Sequence, residues 1–178
     1  MTTQDSYEIV KHNIRVSNLA EGFARYLGFS EEMSKMVAVA GVFIDLGKIA
    51  MDYSVFNKER VLTEDEFEYV KQHSSKSTEI LIQSNLISKD ILSCIIHHHE
   101  NFDGTGYPSK LKGIMIPEGA RVLKICDVYL ALIEKRPYRE SFSHEGAIEI
   151  IRSERNKFDS KLLDEFVVYI ESSKQEYK

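Results

Sequence analysis

The 178-residue chain is long enough for one domain with a buried core, and its 43% hydrophobic and 29% charged residues are typical of a globular protein. Its formal net charge of −5 argues against a nucleic-acid polymer or an anionic membrane as partner. The sequence shows no signal peptide and no apolar run long enough to span a membrane, and its two cysteines are too few for a disulfide framework. We therefore expect a cytoplasmic protein that forms a single domain over 1–178, with its core at about 5–172.

The first part of the chain carries the periodicity of two helices. Apolar residues at helical spacing predict a first helix at about 5–27, which Gly28 would end as the C′ residue. Ser30 is a typical N-cap for a second helix, which we expect to continue towards Met51. The middle of that second segment is apolar nearly all round, which indicates a buried, central helix.

Capping signals predict the remaining helices. They are expected after a capping box of Thr63 with Glu66, at about 75–84, from a Ser88 cap to the histidine run, from Pro117 as residue N1 to about Glu134, and at about 143–153 and 160–172. Residues 101–119 hold several glycines and prolines, and a loop of this length inside a compact domain is usually functional. Because no alternating strand pattern is present in the sequence, we predict an all-α fold, a compact bundle of about seven or more helices.

Three of the six histidines, His97, His98 and His99, are consecutive and directly precede the glycine-rich loop. Adjacent helical residues point about 100° apart, so His98 and His99 could serve two neighbouring ions or flank one. The competing interpretation is a polar helix terminus without a metal. Glu8 and His12 stand four residues apart on one helix face and could share an ion, although this spacing is also common on solvated helix faces.

Two acids lie within apolar segments, where an isolated carboxylate is costly unless it is paired or bound to a metal. Asp45 is followed by Lys48 on the same face, so the alternatives are a structural ion pair or a metal ligand beside a phosphate-binding lysine. Asp127 lies in an apolar helix with no cation four residues on.

Mixed imidazole and carboxylate ligands favour iron, manganese or zinc, and two such ions could clamp a phosphodiester and activate a water.

A basic corner, RPYR, follows the helix of Asp127 and contains Arg136 and Arg139. Guanidinium groups bind phosphate in bidentate fashion and stack on bases. Both arginines are therefore candidate substrate contacts, and the competing interpretation is an ordinary basic surface.

Together these segments resemble the HD-GYP family. The stretch from HHENFDGTGYP through IPEGARVLKICD to RPYR matches the family signature in order and spacing, and FIDLGKI, LTEDEFEYVKQH and HNIRV match its upstream motifs. The resemblance runs from about Glu8 to Phe166. It implies an all-helical fold that binds two or three metal ions, often iron or manganese, and hydrolyses cyclic di-GMP to pGpG or GMP.

The resemblance also assigns roles to individual residues. The implied metal ligands are Glu8, His12, Asp45, His73, His98, His99 and Asp127. Lys48 would contact the scissile phosphate or the leaving oxygen, so Lys48 and Asp45 are the expected catalytic residues. Tyr107, Arg136 and Arg139 would contact the dinucleotide. His97 and His144 fall outside the motif.

Two aliphatic residues depart from the family pattern. Ile44 takes the place of the histidine in the HD pair, and Leu130 takes the place of a second acid one turn after Asp127. We expect two or fewer divalent ions, iron or manganese before zinc or nickel, and a weakened activity. The alternative is a catalytically inactive module that binds a cyclic dinucleotide or a signalling protein. A phosphohydrolase for another nucleotide is a third hypothesis, against which the GYP and RPYR motifs argue.

Overall fold

The computed structural model of the chain describes residues 2–56, 58, 60–135 and 140–172. Within these ranges it contains eight α-helices, four short 3₁₀ helices and no β-strand, so the predicted all-α fold is confirmed. The α-helices are α1 (Thr3–Tyr26), α2 (Glu31–Phe43), α3 (Glu64–Lys71), α4 (His73–Ile82), α5 (Lys89–His97), α6 (Glu118–Ile133), α7 (His144–Ser153) and α8 (Ser160–Ser172). The 3₁₀ helices are Leu46–Ala50, Tyr53–Val55, Gly113–Met115 and Arg155–Lys157. None of the described helices is both long enough and apolar enough to cross a bilayer.

Local capping explains most helix starts. The hydroxyl of Ser30 accepts a hydrogen bond from the backbone N–H of Met33 at the start of α2. Thr63 and Glu66 form the predicted capping box of α3, and Ser88 caps α5 as predicted. These starts follow from the nearby sequence alone, because a short polar side chain satisfies backbone donors that the helix itself leaves unpaired.

The second helix was predicted too long. It ends at Phe43, and the chain turns through Ile44 and Asp45 into the 3₁₀ helix Leu46–Ala50. The cause is packing against α4: a Cβ on Gly47 would lie 2.1 Å from the carbonyl oxygen of His73, and the Gly47 N–H donates to Ser77 Oγ at 2.7 Å. An apolar pattern continues through this turn, so local periodicity does not reveal the break.

Two other boundaries differ from the prediction. Pro117 is the N-cap of α6 and not residue N1, since its ψ of 137° is extended and the first helical residue is Glu118. Helix α4 begins at His73 and not near residue 75, directly after Gln72 at the end of α3, and no side chain caps its start. His73 therefore lies in the first turn of α4, where it is buried.

The core lies between α1 and the helices that pack against it, α2, α6 and α8. The ring of Phe166 stands edge-on to Phe23 at 5.1 Å between centroids and edge-on to Tyr129 at 5.3 Å. Edge-to-face aromatic pairs of this kind add to the burial of large apolar surfaces. This packing fixes α6 against α1 and so sets the positions of the polar side chains that the two helices carry.

Candidate metal centre

Six of the predicted site residues come from five elements that meet in one region. They are His12 of α1, Asp45 in the turn after α2, His73 at the start of α4, His98 and His99 at the end of α5, and Asp127 of α6. Three of these histidines, His73, His98 and His99, form a cluster in which one ring nitrogen from each lies within 4.8 Å of the others. The Nε2 atoms of His73 and His99 are 3.1 Å apart.

Backbone carbonyls orient two rings of this trihistidine cluster. The Nδ1 of His73 donates to the carbonyl of Val70 at 2.7 Å, and the Nδ1 of His98 donates to the carbonyl of Ile95 at 2.6 Å. Because each ring spends its single N–H on a carbonyl, its Nε2 carries a lone pair. Both lone pairs are therefore available to a metal ion.

The Nε2 atom of His98 is buried and has no hydrogen-bond partner among the described residues. A buried polar atom without a partner costs free energy, and such atoms are rare in folded proteins. Burial lowers the pKa of His73 to about 4 and also lowers the pKa values of His98 and His99. The three imidazoles are thus held in the neutral form that binds a metal, and the cluster fits a divalent ion.

Asp45 extends this cluster on one side. Its Oδ1 lies 3.5 Å from the Nε2 of His73, and its Oδ2 accepts a hydrogen bond from Lys48 Nζ at 2.7 Å. Burial alone would raise the pKa of Asp45, but Lys48 and His73 together hold it below its ordinary value. The ion pair with Lys48 and the role of a metal ligand, the two alternatives for Asp45, therefore do not exclude each other. The carboxylate pairs with the lysine and also faces the candidate metal ligands.

His12 and Asp127 form a second group with two residues that the sequence analysis missed. His12 Nε2 lies 2.9 Å from Asp127 Oδ1, and His12 Nδ1 lies 2.7 Å from Glu134 Oε2. Arg15 Nη1 donates to the other Glu134 oxygen at 2.7 Å. Burial alone would lower the pKa of His12, but the carboxylates of Asp127 and Glu134 raise it to about 9. Glu134 follows Asp127 by seven residues, two helical turns, and this spacing made it a candidate without singling it out.

Glu8 is not part of either group. Its side chain is 52% exposed, accepts a hydrogen bond from Gln4 Nε2 at 2.8 Å and lies 3.9 Å from Lys11 Nζ. It lines the same cavity as His12, one helical turn away. The ligand role of Glu8 stays a prediction.

The glycine-rich loop closes over the trihistidine cluster. The ring of Tyr107 stacks on His99 with 4.8 Å between centroids and 29° between planes. Glu100, which is buried, accepts hydrogen bonds from the backbone N–H groups of Ser109 at 2.6 Å and Leu111 at 3.1 Å. Glu100 lies within the family motif but had no predicted role, and the structure shows that its carboxylate holds the loop in place.

The two departures from the family pattern lie in the apolar core. Ile44 and Leu130 are 0% and 2% exposed and pack within the main hydrophobic cluster. Neither side chain offers a lone pair or a proton. Arg136 and Arg139, the other predicted substrate contacts, lie outside the described residues.

A cavity of about 1090 Å³ opens over these groups, large enough for a ligand of dinucleotide size. Asp45, Lys48, His73, His99 and Tyr107 line its inner part. Charged residues of both signs line its outer part, namely Asp5, Glu8, Lys11, Arg15, Lys135 and Glu140. The arrangement therefore brings candidate metal-ligating nitrogens, a lysine and an aromatic ring to one accessible space.

Comparison with known proteins gives clear relatives. The profile of the family described as "HD domain" matches residues 3–162. The chain is 37% identical over 153 residues to the cyclic di-GMP phosphodiesterase response regulator RpfG of Xanthomonas campestris, which covers 84% of this chain and 40% of that protein. It is 32% identical over 170 residues to 3'3'-cGAMP-specific phosphodiesterase 1 of Vibrio cholerae, which covers 94% of this chain and 38% of that protein. The chain thus spans about two fifths of the length of these relatives.

Solved structures share the fold. Bd1817, a HDG"Y"P protein from Bdellovibrio bacteriovorus, superposes with a TM-score of 0.76 at 16% identity, covering 92% of this chain and 52% of that chain. The HD domain of the L. monocytogenes phosphodiesterase PgpH in complex with cyclic-di-AMP superposes with a TM-score of 0.62 at 18% identity, covering 96% and 93% of the two chains. At these identities the likeness shows the fold alone.

Proposed function

The chain belongs to the HD domain family, in the HD-GYP form that its motifs indicate, and from this premise we propose that it is a metal-dependent phosphodiesterase domain acting on a cyclic dinucleotide. Cyclic di-GMP is the first substrate to test, with pGpG or GMP as product, because two relatives are named cyclic di-GMP phosphodiesterases. The observation that carries the proposal is the buried cluster of His73, His98 and His99. Two of its rings, His73 and His99, line the large cavity, and the third carries a buried nitrogen without a partner among the described residues.

The donor set fits a divalent cation. Three neutral imidazoles with a carboxylate beside them suit iron, manganese, zinc or nickel, and we expect two ions or fewer, with iron or manganese favoured. A bound ion would polarise the phosphodiester and lower the pKa of a bound water. His73, His98 and His99 would hold the ion, and Asp45 would face it through Oδ1.

Lys48 and Tyr107 carry the parts of the chemistry that the chain itself supplies. Asp45 holds the Lys48 ammonium, which lies 5.6 Å from the centre of the Phe56 ring. Because Lys48 lines the cavity, its positive charge would face the phosphate on which negative charge develops during hydrolysis. Burial raises the pKa of Tyr107, which keeps the phenol protonated as a hydrogen-bond donor. Arg136 and Arg139 stay predicted contacts to the dinucleotide.

A weakened activity is part of the proposal. Ile44 and Leu130 remove a ring nitrogen and a carboxylate from positions where the family pattern has them, and both are sealed in the core. The same observation favours a second candidate function, a module that binds a cyclic dinucleotide without hydrolysing it. The name of one relative, a response regulator, supports a signalling protein as partner. The sequence features given above support a cytoplasmic location.

One assay separates the two candidate functions. Purified protein is incubated with cyclic di-GMP and Mn²⁺ or Fe²⁺ under anaerobic conditions, and product and bound metal are both counted. Slow turnover that disappears in His99→Ala supports the phosphodiesterase and excludes the silent module. Nucleotide binding with neither turnover nor bound metal excludes the phosphodiesterase.

A further inference from the structure

Glu134 connects the end of α6 to α1 through the histidine of the site. One of its carboxylate oxygens accepts from His12 Nδ1 at 2.7 Å, and the other accepts from Arg15 Nη1 at 2.7 Å. The exposed fraction is 16% for the Glu134 side chain and 10% for His12, so water competes little for either. The arginine holds the carboxylate in one place, because hydrogen bonds between charged partners are short and directional.

The position of this carboxylate decides which way the imidazole faces. With Nδ1–H donated to Glu134, the Nε2 atom points at Asp127 Oδ1, 2.9 Å away. In the metal-free protein the ring carries protons on both nitrogens, because the two carboxylates raise the pKa of His12 to about 9, and its Nε2–H is donated to Asp127. A divalent cation that replaces this proton would meet the Nε2 lone pair and Asp127 Oδ1 side by side, so the geometry of the two atoms suits a pair of ligands for one cation.

From this geometry we infer that Glu134 is a positioning residue, which directs His12 Nε2 towards Asp127 so that the two side chains hold a divalent cation. The inference deepens the proposed function, since it concerns the metal complement of the same site. Glu134 is the C-cap residue that follows α6, four residues after Leu130 and seven after Asp127, and its backbone N–H donates to the Leu130 carbonyl. The end of α6 thus supplies a carboxylate four residues after Leu130, and this carboxylate contacts the His12 ring at Nδ1.

The competing explanation is that Glu134 only ties α6 to α1 as a structural ion pair. Metal-bound histidines commonly donate their second nitrogen to a carboxylate, and loss of such a partner weakens metal affinity by roughly 10–100-fold. A purely structural pair would change the stability of the metal-free protein and leave metal affinity intact. The two roles therefore predict different measurements.

The test is a titration of the metal-free protein with Mn²⁺ by calorimetry, without nucleotide. Two classes of site are expected: one removed by His98→Ala and one removed by His12→Ala. Glu134→Ala should weaken the second class by roughly 10–100-fold and change the first by less than about twofold. Glu134→Gln should lose less, because its amide oxygen can still accept from His12 Nδ1.

A matched control is Glu118→Gln, an acid-to-amide change at an exposed position in the first turn of the same helix. It should leave both classes unchanged. Melting temperatures of the metal-free variants establish that each is folded, and the near-isosteric Glu134→Gln keeps the test valid if Glu134→Ala is unstable.

Two results would overturn the inference. One is a lowered melting temperature in both Glu134 variants with both affinities unchanged. The other is a wild-type protein whose bound Mn²⁺ is unaffected by His12→Ala. Because the titration contains no nucleotide, failure of the proposed hydrolysis would leave these outcomes readable, and the two failures stay distinguishable.

Discussion

In the trihistidine cluster, ring nitrogens lie within 4.8 Å of one another and one of them has no partner in the described part of the chain. At His12, by contrast, both ring nitrogens lie within 3 Å of a carboxylate oxygen. Burial disfavours the charged form of both rings, yet the pKa of His73 is lowered to about 4 whereas the pKa of His12 is raised to about 9. The difference shows that the carboxylates beside His12 outweigh burial, whereas at His73 burial prevails with help from the Lys48 charge. A metal ion must therefore displace a proton from His12 but finds the His73 ring already neutral.

The largest expected effect comes from removing the unpartnered nitrogen. His98→Ala should lower metal affinity at the trihistidine cluster by more than about 100-fold, because losing a metal ligand costs more affinity than losing a residue that only hydrogen-bonds to a ligand. Bound metal measured by elemental analysis after dialysis checks this. His97→Ala is the matched control, because His97 is adjacent but bonds to Ser93 and Ser109 outside the cluster. Equal metal retention in both variants would show that the cluster is not the binding site.

The next effect concerns the turn that carries Asp45 and Lys48. Gly47→Ala places a methyl group 2.1 Å from the His73 carbonyl oxygen, so the backbone must shift, at a cost of about 3 kcal/mol in the free energy of unfolding. Urea denaturation measures the loss. Gly146→Ala in α7, where a Cβ meets nothing closer than 3.4 Å, should instead stabilise the protein slightly. Similar stability in both variants would contradict the close approach of this turn to α4.

The two regions should also respond to pH in opposite directions in the metal-free protein. The pKa of His12 is raised from 6.5 to about 9, so its contribution is complete below pH 6.5 and is lost as the pH rises through 9. The pKa of His73 is lowered from 6.5 to about 4, so the unfolded state binds the proton more readily and stability falls as the pH drops from 6.5 towards 4. These two changes form the alkaline and the acid limb of the stability profile, and each changes the free energy of unfolding by up to about 3 kcal/mol.

Unfolding free energies measured across this pH range check both limbs separately. His12→Gln should flatten the alkaline limb and leave the acid limb in place, whereas His73→Gln should do the reverse. A wild-type profile that is flat between pH 6.5 and 9 would contradict the carboxylate pairing of His12.

The smallest expected effect restores the family pattern at the apolar positions. Ile44→His together with Leu130→Asp should tighten metal binding by about tenfold and raise the number of bound ions. Elemental analysis counts the ions. Ile44→Val is the control for a changed core volume without a ligand. Unchanged metal content in the folded double variant would show that positions 44 and 130 do not face the metal centre.

Sequence reasoning found what local rules determine. The caps at Ser30, Thr63 and Ser88 need only neighbouring backbone groups, and the motif-based choice of His73, His98 and His99 named three residues that the fold brings together. The end of α2 was missed because it depends on how Gly47 packs against a helix nearly thirty residues away.

Glu134 was missed for a similar reason. It lies beyond the helical part of α6, and its role appears only when that helix end is placed against His12 and Arg15 of α1. A spacing of two turns from Asp127 is compatible with many contacts, so periodicity alone could not select the right one.

The most direct test of the central claim is a paired measurement on the wild-type protein and His98→Ala, each loaded with Mn²⁺ and given cyclic di-GMP. The account predicts bound metal and slow hydrolysis in the wild type, and in the variant the loss of hydrolysis and of the metal held by the trihistidine cluster, with the fold retained in each. A folded wild-type protein that binds no metal, or hydrolysis that persists unchanged in His98→Ala, would contradict it.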